Sequence, residues 1–128
     1  MKLIRSRLHG ILDYLTVVAF ALAPTVLGLT STAAWLAYTL AVAHLLVTLA
    51  TDFDLGVAHL LPAAWHGRIE LAVGLLLLVA PWVLGFSDDA TARTFFMAAG
   101  VVILIVWALT AYRGRTAAGD LNAATPGG

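Results

Sequence analysis

The sequence predicts an all-α membrane protein whose four transmembrane helices form two helix pairs related by a parallel repeat. The first observation behind this fold class is composition: 62% of the 128 residues are hydrophobic and only 11% are charged. Soluble domains are about 45–50% apolar and about 25% charged, and a small domain has too much surface to bury such an excess. The other two observations are four long apolar spans and an internal duplication. We therefore expect the lipid bilayer to surround the chain.

Four apolar stretches have the length of transmembrane helices. They cover about residues 11–29, 33–50, 69–86 and 94–112. Each is close to the roughly 20 residues that a helix needs to cross the hydrocarbon core. The stretches must be helical, because backbone groups in lipid have to find hydrogen-bond partners within their own segment. A cleaved signal peptide is the alternative interpretation of the first stretch. We expect retention, because Asp13 interrupts the apolar run and the stretch belongs to the duplication.

The duplication relates residues 9–28 to residues 66–85 at a constant offset of 57, with seven of the twenty aligned positions identical. Both copies begin with His-Gly, carry an acid four residues after the His, and end with Ala-Pro-x-Val-Leu-Gly. The offset spans an even number of crossings, so both copies have the same orientation and their pseudo-two-fold axis lies along the membrane normal. We expect the Pro and Gly positions to shape a tight exit from each helix. The motif residues are Pro24, Gly28, Pro81, Trp82 and Gly85.

These spans and repeats predict one membrane domain over residues 1–115. The repeats cover about residues 9–50 and 66–107, and an interfacial connection covers 51–65. The tail at 116–128 has little apolar content, so we expect it to be flexible. Small residues favour close packing of the second and fourth helices, and of the third at its glycines: Ala33, Ala37, Ala41, Gly67, Gly74, Ala98, Ala99 and Gly100.

The distribution of basic residues predicts the orientation. Four crossings place the termini and the central connection on one side, which holds six basic residues, whereas the other side holds only Arg93. The positive-inside rule therefore predicts cytoplasmic termini. The six are Lys2, Arg5, Arg7, Arg68, Arg113 and Arg115.

The motif Ala80-Pro81-Trp82-Val83-Leu84-Gly85-Phe86-Ser87 resembles the signature of the SPW-repeat family of small bacterial integral membrane proteins. The resemblance implies a duplicated two-helix unit with the motif in its first helix, and a location in the bacterial inner membrane. Ala80 stands where that family has Ser, and Thr25 stands in the first copy where it has Trp. The resemblance implies no established reaction and no catalytic residue.

Ionisable residues border the cytoplasmic ends of three spans. His9 and Asp13 are four residues apart on one helix face, and His66 and Glu70 repeat this spacing. His44 and Asp52 follow one face of the second span. Charged groups within a membrane usually face the bundle interior and have partners, so these six residues are the candidate polar or ligand cluster.

Three interpretations of this cluster remain open. The first, which we favour at this stage, is structural: the polar groups fix helix packing, and the protein acts through assembly or a partner, without a cofactor. The second is a site for a metal or haem, because His with an acid at the fourth position is a workable ligand pair. The third is a proton or ion path, or a pocket for an amphiphile such as a quinone. A homo-oligomer or a membrane protein partner is compatible with all three.

Several other functions are excluded or disfavoured. The net charge is zero, so no basic field points to nucleic acid. The absence of cysteine excludes disulfides, thiolate metal sites and cysteine nucleophiles. None of the three serines lies in a nucleophile-elbow sequence, and no Gly-rich phosphate loop is present. We therefore expect a protein that is not an enzyme.

Overall fold

The structure is a computed structural model that describes residues 4–110. Four helices follow one another: α1 (Ser6–Leu27), α2 (Ser31–Ala50), α3 (Ala63–Val83) and α4 (Ala90–Leu109). In the described part of the chain, β structure is limited to two isolated bridges, Ile4 with Thr110 and Thr51 with Leu61. The tail predicted at residues 116–128 lies outside the described residues.

All four helices are long and apolar enough to cross a membrane. At a rise of about 1.5 Å per residue, 20 residues match the hydrocarbon core of roughly 30 Å. Large apolar side chains such as Leu15, Leu46 and Ile105 point outward and are more than half exposed, which suits contact with lipid. The predicted fold class, an all-α four-helix membrane protein, is confirmed.

The helices pack as two hairpins. Helix α1 packs mainly on α2 and α3 mainly on α4, whereas few contacts join α1 to α4 or α2 to α3. Within the α3–α4 pair, a Cβ built on Gly100 would lie 2.9 Å from the carbonyl oxygen of Gly74. Ala33, Ala37 and Ala41 are buried on α2. Small residues therefore bring the backbones together within each hairpin. Membrane helices depend on such close packing, because lipid tails are as apolar as the side chains and no hydrophobic force drives the helices together.

The turns that join the two helices of each hairpin have the same geometry. Gly28 and Gly85 adopt φ values of 66° and 80°, which only glycine adopts without steric cost. The amide of Leu29 donates to the carbonyl of Pro24 (3.0 Å), and the amide of Phe86 donates to the carbonyl of Pro81 (2.8 Å). Both prolines are buried within the last turns of their helices, whereas Trp82 is exposed.

The connection between the hairpins is shorter than the sequence suggested. Helix α3 begins at Ala63, directly after Pro62 in extended conformation, so the connection covers residues 51–62 and not 51–65. Its two ends are joined by a hydrogen bond from the amide of Asp52 to the carbonyl of Leu61 (2.7 Å). Phe53 is buried against Gly10, where a Cβ would collide with its ring. The connection therefore closes the end of the bundle at which α1 and α3 begin.

Candidate metal centre

Four ionisable side chains meet between the two hairpins. His9 and Asp13 come from α1, and His66 and Glu70 come from α3. All four are buried, with at most 5% of each residue exposed. We call these four residues the polar centre.

The fold brings them together because the duplication gives each hairpin the same helix face. Residues four apart on a helix lie on the same side, so each His lies next to the acid of its own helix. The similar arrangement of the two hairpins turns both of these faces inward at the same depth. Phe20 and Phe96 stack beyond the centre toward the turns that join the helices of each hairpin, with ring centroids 6.5 Å apart. Phe53 covers Gly10 at the inner end. The centre is therefore enclosed by apolar groups on both sides along the bundle axis.

The imidazoles and carboxylates of the polar centre alternate around a ring. His9 Nε2 lies 3.3 Å from Asp13 Oδ1 and 3.1 Å from Glu70 Oε2. His66 Nε2 lies 3.1 Å from Asp13 Oδ2 and 3.4 Å from Glu70 Oε1. Each carboxylate thus turns one oxygen toward each histidine. One ligand atom from each of the four residues can be chosen so that all lie within 4.8 Å of one another.

Two threonines hold the far nitrogens of these imidazoles. Thr110, which caps α4, lies 2.7 Å from His9 Nδ1, and Thr51, which caps α2, lies 2.7 Å from His66 Nδ1. Each threonine hydroxyl donates its hydrogen to the carbonyl four residues earlier, at Val106 or Val47, over 2.6 Å. The hydroxyl therefore accepts from Nδ1–H. This assigns the proton to Nδ1 and directs Nε2 of both histidines into the centre.

One facing pair of atoms in the polar centre is close but poorly aligned for a hydrogen bond. His66 Nε2 and Asp13 Oδ2 lie 3.1 Å apart, yet neither atom makes a hydrogen bond of acceptable geometry to the described residues, and both are buried. Buried polar atoms are normally hydrogen-bonded. These two atoms therefore remain available to a ligand placed among the four residues.

The structure brings five of the six predicted cluster residues together and leaves one apart. His44 adjoins the polar centre, with Nε2 3.4 Å from Asp13 Oδ1 and its ring edge-on to that of His66. Asp52 lies away from the cluster, because the chain leaves the helix in extended conformation at Thr51. The Asp52 carboxylate is exposed and faces His59 Nδ1 at 3.1 Å. The helical spacing predicted that Asp52 belongs to the cluster, and the structure contradicts this prediction.

Thr51 and Thr110 were not identified from the sequence. They are 59 residues apart, two more than the repeat offset, so the alignment of the two copies does not pair them. The available signal is positional: each is a threonine directly after the last apolar turn of the second helix of its hairpin.

Comparison with known proteins identifies the family. No curated protein and no solved structure matches the chain. A family model described as SPW repeat domain matches residues 7–111, which include the polar centre and all four helices except Ser6, the first residue of α1. The chain therefore belongs to the SPW repeat domain family of membrane proteins.

Proposed function

We propose that this integral membrane protein binds a divalent first-row transition metal at the polar centre. The observation that carries the proposal is the convergence of two imidazole Nε2 atoms and two carboxylates in a buried site, with the Nε2 of His66 and the Oδ2 of Asp13 making no hydrogen bond to the described residues. Imidazole and carboxylate together suit zinc, iron and manganese. This arrangement supports a role of the four side chains as metal ligands over a role in helix packing alone.

The distances in the ring fit such a set. Bonds of about 2.0–2.2 Å from a zinc-sized ion to nitrogen or oxygen place neighbouring ligands of a tetrahedron about 3.4 Å apart. The four His–carboxylate separations of 3.1–3.4 Å are close to this edge, with each carboxylate turning a different oxygen toward each histidine. One ligand atom from each residue gives a set that spans up to 4.8 Å, so the side chains would move closer together around an ion. A haem would have to insert a macrocycle between imidazoles and carboxylates that already lie this close. We therefore propose a bare metal ion and not haem.

Charge balance supports the same conclusion. Burying two carboxylates in a membrane interior costs free energy unless cations compensate them. One divalent ion with two neutral histidines makes the centre neutral. The threonine contacts favour this state, because ligating histidines commonly donate the other ring N–H to a fixed acceptor, which is the role that Thr51 and Thr110 fill here.

A second candidate function is a charge cluster that joins the two hairpins. If both histidines carry two protons, two imidazolium ions and two carboxylates also give a neutral centre. The alternating 3.1–3.4 Å ring favours this candidate as well, and few other contacts connect the hairpins. Under it, the centre contributes stability and assembly and holds no ligand.

Metal analysis of carboxylate variants distinguishes the two. We expect detergent-purified protein, reconstituted with Zn²⁺, Mn²⁺ or Fe²⁺, to retain about one ion per chain. Asp13→Asn and Glu70→Gln should each abolish retention, since each removes a charged ligand. Asp52→Asn is the matched control, because that carboxylate lies at the same end of the bundle but outside the centre.

The contrary result is equally specific. If no ion remains after reconstitution, while Asp13→Asn lowers the thermal unfolding temperature and Asp52→Asn does not, the metal proposal fails and the charge cluster is supported. An absorption spectrum without a Soret band is expected in either case.

We further propose that the protein resides in the bacterial inner membrane with both termini cytoplasmic. The support is the six-to-one bias of basic residues toward the side of the termini and the connection. The polar centre would then lie near the cytoplasmic face. We also propose that the membrane helices form one domain, and we assign no reaction to it.

A further inference from the structure

The two seams between the hairpins are not equivalent in the described part of the chain, because the cavity at one of them borders the polar centre. A cavity of about 50 Å³ lies at the α2–α3 seam and is lined by His44, His66 and Glu70 among apolar side chains. The pseudo-symmetric α1–α4 seam carries a groove of about 210 Å³ whose lining includes no residue of the centre. At the repeat offset of 57, His44 corresponds to Val101. His44 thus marks the seam that opens onto the centre.

The cavity presents an unsatisfied polar atom. His44 Nε2 is buried and makes no hydrogen bond of acceptable geometry to the described residues, although it lies 3.4 Å from Asp13 Oδ1. His66, which is 2% exposed, also lines the cavity, and its Nε2 lacks such a bond. A polar atom left in this way is expected to bind a ligand or an ordered water.

Size and lining restrict the ligand. One water molecule needs a cavity volume of at least about 10–15 Å³. The cavity of about 50 Å³ therefore accommodates only a molecule of a few atoms. The remaining walls, which include Phe20, Leu40 and Val73, are apolar. Leu40 and Val73 also line a larger groove of about 240 Å³ on the same seam, where every lining residue is apolar. A small uncharged molecule that dissolves in lipid could therefore reach the cavity from the membrane.

We propose that the α2–α3 cavity is the binding site for a small, uncharged, lipid-soluble ligand, of the diatomic gas class, at an open coordination position of the metal. This inference rests on the proposed metal centre. The ligand would lie beside His44, which lines the same cavity. Four protein ligands leave further positions open on an ion such as Fe²⁺ that accepts more than four.

Nitric oxide binding to the Fe²⁺-loaded protein tests the site. We expect the electron paramagnetic resonance signal of a ferrous nitrosyl in the intact chain. Ala43→Leu places a larger side chain in the cavity from an exposed position of α2, so it should retain iron but bind nitric oxide at least tenfold more weakly. Ala98→Leu is the matched control, because Ala98 is also exposed and lines the groove of the other seam.

The outcomes separate this inference from the metal proposal. If the protein binds no iron, the proposed function fails. If it binds iron but forms no nitrosyl, or if Ala43→Leu binds nitric oxide as tightly as Ala98→Leu, the cavity proposal fails and the metal site stands. Should Ala43→Leu not fold, Val73→Phe fills the same cavity from α3 and is judged by the same comparison.

Discussion

At the scale of single residues, the two threonines decide which nitrogen of each histidine faces the polar centre. Thr51 and Thr110 donate to backbone carbonyls of their own helices and accept from Nδ1–H. A hydroxyl whose only hydrogen is committed in this way cannot also donate to the ring. The ends of α2 and α4 therefore orient ligands that belong to α3 and α1.

Removal of these hydroxyls should weaken the metal site without removing a ligand. We expect Thr51→Val and Thr110→Val each to lower metal affinity by about 10- to 100-fold, the usual effect of losing the partner of a ligating histidine. Competition with a chromophoric chelator measures this change.

Thr48→Val is the matched control on α2. Thr48 is also buried, but its hydroxyl contacts neither imidazole nitrogen and makes no hydrogen bond to the described residues. Equal losses in Thr48→Val and Thr51→Val would mean that polarity near the helix end, and not orientation of His66, sets the affinity.

At the scale of elements, close backbone contact holds each hairpin together. Gly74 and Gly100 face one another across α3 and α4. A Cβ on Gly74 would lie 2.7 Å from the side chain of Leu104, and a Cβ on Gly100 would lie 2.9 Å from the carbonyl oxygen of Gly74. Because the hairpins have few contacts with one another, the stability of each pair depends on its own internal packing.

Gly100→Ala should therefore destabilise the protein. The new methyl group would lie 2.9 Å from the carbonyl oxygen of Gly74, and overpacking of this kind costs about 1–3 kcal/mol. Intrinsic helix preference predicts the opposite sign, because Ala is favoured over Gly in a helix interior by about 0.5–1 kcal/mol. The free energy of unfolding in mixed detergent micelles decides between them.

Val101→Ala is the control for this measurement, since Val101 is a neighbour on α4 that is 47% exposed. It should change the free energy of unfolding much less than Gly100→Ala does. An increase in stability for Gly100→Ala would show that the α3–α4 contact is looser than the structure indicates.

At the scale of the whole molecule, the repeat explains both what the sequence predicted and what it missed. The offset of 57 placed His9 with His66 and Asp13 with Glu70 at one depth, and the apolar spans predicted the four helices. Whether the two acidic faces meet depends on how the hairpins pack, which periodicity within one helix does not encode. Thr51, Thr110 and Asp52 lie where helices end, and there the backbone conformation, not the helical spacing, sets side-chain direction.

Departure from the repeat is as informative as the repeat. A perfect two-fold would place an identical residue at positions 44 and 101, but these are His and Val. The polar centre is therefore nearly symmetric, whereas the cavity lined by His44, His66 and Glu70 lies at the α2–α3 seam.

The orientation of the whole bundle can be tested because the chain contains no cysteine. Asp88→Cys marks the outer turn between α3 and α4, and Ala58→Cys marks the connection between the hairpins; both residues are exposed. If the termini and the connection are cytoplasmic, a membrane-impermeant maleimide should label Asp88→Cys in intact spheroplasts, and Ala58→Cys only after permeabilisation. Both variants should label equally in detergent, which controls for reactivity. Labelling of Ala58→Cys alone in intact spheroplasts would invert the topology and place the polar centre near the periplasmic face.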